Sequence, residues 1–131
     1  MFNPLLDKNL PLVLRVTGGL TALGGLQFFA PATLLASMGM PVTEAGGLFF
    51  ARHWGLMVLC FGLLLVYSAT VSALRTPVLL AATAEKLGLV VMVALAYDTP
   101  QLAGMRGAAL FDAACVVLYL MILQRRLGRN E

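Results

Sequence analysis

Five ionisable residues stand where the surrounding sequence gives them least solvent: Arg52, His53, Glu85, Lys86 and Asp112. Glu85 and Lys86 interrupt the otherwise apolar run LLAATAEKLGLVVMVALAY. A carboxylate and an ammonium in such a run are costly in hydrocarbon, and they mark either a paired structural interaction or a site of function. Together such groups could bind a polar head group, move a proton or lock helices together. His53 is the chain's one histidine, and near-neutral titration makes it a candidate acid or base. The Arg52-His53-Trp54 triplet reads first as an interfacial anchor, because tryptophan favours the headgroup layer. With no second His or Cys at ligand spacing, no transition-metal site is expected.

The elements that position these residues follow from the length of the apolar runs. Four segments are long enough to cross a bilayer as helices, about 20 residues being required. They are residues 10–30, 48–73, 76–97 and 105–123, arranged as one transmembrane domain over 1–131. Backbone polar groups in hydrocarbon must be satisfied within the segment, and the runs are twice the length of a barrel strand, so the expected class is all-α, an integral membrane four-helix bundle. Pro31 stands where the first helix would stop, Arg15 can snorkel, and Ser37 to Gly47 reads as a loop. Lys8 before an apolar stretch and Ala30-Pro31-Ala32 loosely mimic a signal peptide, but the segment is read as a membrane helix.

Composition agrees. Of 131 residues, 60% are hydrophobic and 11% charged, and a short soluble chain could not cover its surface with so few polar groups. The net charge of +3 is carried by scattered residues, which excludes nucleic acid as a partner and points to topology signals instead. With four spans, Lys8, Arg15, Arg75, Arg125, Arg126 and Arg129 fall on one side, against Arg52 and Arg106 on the other. Six against two predicts cytoplasmic N- and C-termini in an inner (plasma) membrane. Cys60 and Cys115 lie inside apolar runs and read as small buried hydrophobes.

Helical geometry then sets the depth of each group. At 1.5 Å per residue, Glu85 and Lys86 lie about 12–14 Å from Pro77, near the midplane, and Asp112 about 9 Å from Arg106. Arg52 and His53 enter from the same face as Asp112. If the helices form one bundle, the five residues can converge on a polar cavity. Asp112, Cys115 and Tyr119 share a face of the fourth span, and Glu85, Gly88 and Met92 share one of the third, where glycine leaves room beside the carboxylate. Gly18-Gly19, Thr21 and Gly24-Gly25, the Ala81/Ala84/Gly88 stripe, and Ala109 with Ala113 are candidate faces for close helix approach. The methionines and phenylalanines read as packing and lipid contact. No nucleotide loop, nucleophile elbow, HExxH motif or inverted repeat is present.

The order of these features resembles the DoxX-like group of small four-helix membrane proteins over nearly the whole chain. It rests on the glycine-rich first segment ending in FFAPATLL, on ARHWGLMVLCFGLLL opening the second, on the mid-span EKLG, and on LFDAACVVLY in the fourth. That group includes a subunit associated with quinone-linked oxidation of sulfur compounds, so the resemblance implies the fold and a quinone or lipid ligand, and carries over no catalytic residue. Three functions are open: an accessory subunit or binder of a small lipophilic ligand at the polar cluster, an isomerase or redox enzyme using Glu85 or Asp112 for proton transfer, or a proton- or ion-conducting oligomer. Membrane lipids are the expected surroundings, with a membrane protein or further copies of the chain as partners.

Overall fold

A computed structural model describes residues 4–129, with five α-helices and no strand among them. The helices are α1 (Pro4–Gly24), α2 (Pro31–Ser37), α3 (Ala45–Ser68), α4 (Arg75–Leu95) and α5 (Arg106–Leu127). Short 3-10 turns at Gly25–Phe28, Ser72–Leu74 and Pro100–Met105 join or extend them. Three of the long helices, α3, α4 and α5, are each long and apolar enough to cross a membrane. A fourth span is completed only if α1 and its turn are taken with α2, across a bend of 116°. The chain is therefore a small polytopic membrane protein with three or four candidate spans. Its outer surface fits that solvent: Leu95, Leu110, Phe49, Phe50 and Met92 all stand exposed.

Most helix packing runs between α1 and α3 and between α4 and α5. Close approach of α1 and the turn after it to α3 depends on glycines spaced seven apart, Gly18 with Gly25 on one side and Gly55 with Gly62 on α3. A Cβ on Gly18 would lie 2.7 Å from the carbonyl oxygen of Gly62, and one on Gly25 would strike the backbone of Leu59. The glycine face of the first span is thus used at Gly18 and Gly25, while Gly19 faces open space. In the Ala81, Ala84 and Gly88 stripe all three residues are exposed, so it is not a tightly packed helix contact. The seam between α3 and α4 is correspondingly loose.

The core is divided. At the end where α1 and α4 begin and α3 and α5 finish, Leu10, Leu14, Leu65, Leu79, Tyr119 and Ile122 form one apolar cluster. Arginines close that end: Arg75 donates to the carbonyl oxygens of Ser68 (3.2 Å) and Ala69 (2.8 Å), and Arg126 to Thr76 Oγ1 (2.9 Å). At the other end Leu35, Met40 and Met105 form a smaller cluster. Between the two lies a band of buried polar residues, and the candidate site occupies it.

The sequence reading places no helix at 31–37, and the structure puts one there. Pro31 opens α2 rather than merely ending the preceding segment, since proline's fixed φ and missing N–H suit the first position of a helix. A helix of 7 residues is too short to give a clear periodic signal. Gly39, at φ +76°, then turns the chain toward α3, a conformation that an L side chain resists. Gly39→Ala is expected to lower stability by about 1 kcal/mol, with Gly39→Asn milder, as read from denaturant midpoints in micelles.

Candidate functional site

At the centre of the polar band Lys86 Nζ donates to Asp112 Oδ1 at 2.6 Å, joining α4 to α5. Both are buried, at 2% and 6% exposure. Lys86 stands in the middle of α4, far along the helix from either end. The Phe111 ring lies 5.1 Å from the Lys86 ammonium and adds a cation–π contact. Burying two charges is sustained only by such mutual pairing; one partner alone would be an uncompensated charge in low dielectric.

The pair lines a cavity of about 330 Å³ between α1, α2, α3, α4 and α5. Its walls are otherwise largely apolar, with Leu20, Val58, Leu89, Met105 and Phe111 among them, and Leu34 and Met38 place α2 across one end. A volume of this order matches an ordinary small-molecule site. Glu85, half-buried one residue from Lys86, lines the same cavity and also a second of about 570 Å³. Trp54, Leu89 and Met105 are shared walls as well. The second cavity follows the loose α3–α4 seam past Met57, Ala84, Gly88 and Met92 to the outer surface. Gly88 leaves room beside the carboxylate, since a Cβ there would meet nothing within 4 Å.

The remaining polar lining comes from α1 and the turn after it. Gln27, buried, donates its amide nitrogen to the carbonyl oxygen of Ala51 at 2.8 Å, and so bridges the turn to α3. Thr21 lines the cavity and returns its hydroxyl proton to Thr17 O at 2.8 Å. Deeper in the core Tyr119 donates to Thr17 Oγ1 at 2.7 Å, a bond between α5 and α1. Cys115 is buried beside it, Cys60 is exposed, and neither is in a disulfide. Among the described residues no group of three His, Cys, Asp or Glu side chains could hold a metal.

The structure thus brings together three of the five residues singled out in the sequence. Lys86 and Asp112 pair, and Glu85 lines the same cavity. Arg52 and His53 are exposed and line neither cavity. Helical geometry explains the difference: at about 100° per residue, the face of α3 that turns Trp54 and Val58 inward turns Arg52 and His53 away. Trp54, read from sequence as part of an anchor, is the member of the triplet that faces the site. Asp112, Cys115 and Tyr119 do share a face, but only Asp112 reaches the cavity; the other two are core. Gln27 gave no sequence signal beyond being an uncharged polar residue near the end of an apolar run. Compared with protein-family models, curated proteins and solved structures, the chain finds no match.

Proposed function

We propose that the protein holds a small lipophilic molecule with a polar head, a lipid or a quinone, in the cavity above the Lys86–Asp112 pair. The single observation that carries this reading is Glu85. It is a carboxylate at the junction of two cavities that, among the described residues, makes no hydrogen bond or ion pair in the fold. A purely structural ion network would enclose all its members; here one is left facing ligand space. The second cavity supplies a lateral path from the bilayer, and the resemblance to the DoxX-like group adds a quinone-linked setting. On this reading the protein is an accessory subunit or binder in a plasma membrane, with both termini cytoplasmic as the Lys and Arg count favours.

Native mass spectrometry of protein gently extracted from its own membrane tests the reading. A lipophile is expected to travel with the wild type and to be lost from Gly88→Leu, whose side chain fills the path where no neighbour is displaced. Retention of the same lipophile by Gly88→Leu, or none in the wild type, would count against the cavity as a binding site.

The same free carboxylate favours a second reading, an enzyme in which Glu85 transfers a proton to or from the bound molecule while Lys86 stabilises charge. Glu85→Gln separates the two. An enzyme loses turnover with its fold intact, whereas a binder shows only weakened retention.

A further inference from the structure

We infer that the head group bound at this site is a cationic amine, so that the ligand is a lipid-like ammonium compound rather than a neutral molecule. The inference rests on the binding role proposed above and narrows its ligand class. It starts from a charge count. The charged residues lining the two cavities are Glu85, Lys86 and Asp112, which sum to one negative charge when all are ionised. The single cation is already committed: Lys86 gives one N–H to Asp112 and faces the Phe111 ring. In a low-dielectric wall an unmatched negative charge is costly, and a bound cation removes that cost.

Donors and acceptors give the same answer independently. Gln27 gives one of its two amide N–H groups to Ala51, which leaves its carbonyl oxygen as an acceptor and one N–H as a donor. Thr21 spends its proton on Thr17 and also retains acceptor capacity. With the two oxygens of the Glu85 carboxylate and the second oxygen of Asp112, acceptors outnumber the donors left in the lining, which are two N–H groups of Lys86 and one of Gln27. An ammonium is a donor of three hydrogen bonds with no acceptor, and it complements such a wall. Trp54 lines both cavities together with Glu85, and a carboxylate with an aromatic ring is a pairing that ammonium groups favour.

Protons compete for the same carboxylate. The titratable groups around Glu85 are Lys86 on its own helix and Asp112 on α5, with Cys115 and Tyr119 deeper on α5. The linings from α1, α2 and α3 contribute no charged side chain. Lowering the pH therefore weakens amine binding, because protonated Glu85 has no charge to offer while the amine stays charged.

The probes are octylamine and 1-octanol, which share one chain and differ in head group, titrated calorimetrically into purified protein in micelles against a protein-free blank. Octylamine is expected to bind at least about tenfold tighter than octanol. Its affinity is expected to fall from about pH 8 to about pH 5, while that of octanol stays flat. Glu85→Gln is expected to erase both the preference and the pH dependence. The wild-type comparison stands without the variant should Glu85→Gln fail to fold. Equal binding of the two probes, or an amine affinity indifferent to pH, would overturn the inference and leave the cavity reading standing. Binding of neither probe would also overturn it, and the co-purifying lipophile then decides the cavity reading separately.

Discussion

Lys86→Met is expected to destabilise the fold by about 3–5 kcal/mol, because it leaves the Asp112 carboxylate buried at 6% exposure with no ionic partner. The measurement is an unfolding titration in mixed micelles, following helix content. Asp112→Leu should be damaging for the mirror reason, stranding an ammonium that lies too far from either interface to snorkel. The double variant Lys86→Met/Asp112→Leu should recover most of the loss, since an apolar pair of similar volume avoids the desolvation cost entirely. This cycle also separates structure from function. A double variant that is as stable as the wild type but retains no lipophile shows that the charges serve the ligand. One that is stable and retains its lipophile reduces the pair to an internal clasp between α4 and α5.

The second large effect is expected at the α1–α3 contact. A Cβ on Gly62 would land on the backbone of Ala22, and 2.7 Å from the carbonyl oxygen of Gly18, where nothing flexible can give way. Gly62→Ala should cost about 1–3 kcal/mol, and Gly62→Val more, because the helices must separate along their whole contact. Gly19→Ala, on the same helix pair but facing open space, should be neutral or slightly stabilising. The contrast matters more than either value. In lipid no hydrophobic force drives helices together, so close backbone approach is a main source of α1–α3 adhesion, and only the glycines at the contact supply it.

The long helices were legible in the sequence because their signal is one of length: apolar runs near 20 residues cannot be satisfied otherwise in hydrocarbon. Glu85, Lys86 and Asp112 were legible for a related reason, since a charge in such a run contrasts with everything around it. What could not be read was rotation. In a nearly uniform apolar helix no polar stripe fixes which side turns inward, so Arg52 and His53 read as site candidates and Trp54 as an anchor, although a shift of one or two residues turns the side chain to another face. The same lack of contrast hid the pairing partners. Gly18 and Gly25 were visible as part of a glycine-rich segment, but Gly55 and Gly62, single glycines among leucines and phenylalanines, were not. Helix α2 was missed because seven residues carry too little periodicity, and Gln27 because a neutral amide near a helix end resembles an interfacial residue.

Division of the core into two apolar clusters has a mechanical consequence. The larger cluster, tied at its end by Arg75 and Arg126, holds the helices together whether or not the cavity is filled. The smaller one, built around Met105 and the short α2, closes the cavity from the far side. Methionine suits such a wall, being flexible enough to follow ligands of different outline. Gly104 presses α2 against the turn before α5, where any side chain would strike the carbonyl of Met38.

The central claim is that a polar head group sits against Glu85 and the Lys86–Asp112 pair inside the bilayer. An experimental structure in nanodiscs formed with lipids from the native membrane tests it most directly. The account predicts elongated density with its head within hydrogen-bond distance of Glu85 and its tail leaving between α3 and α4 past Gly88. Helices closed over that space, with Glu85 turned to pair within the protein and no density beside it, would contradict it.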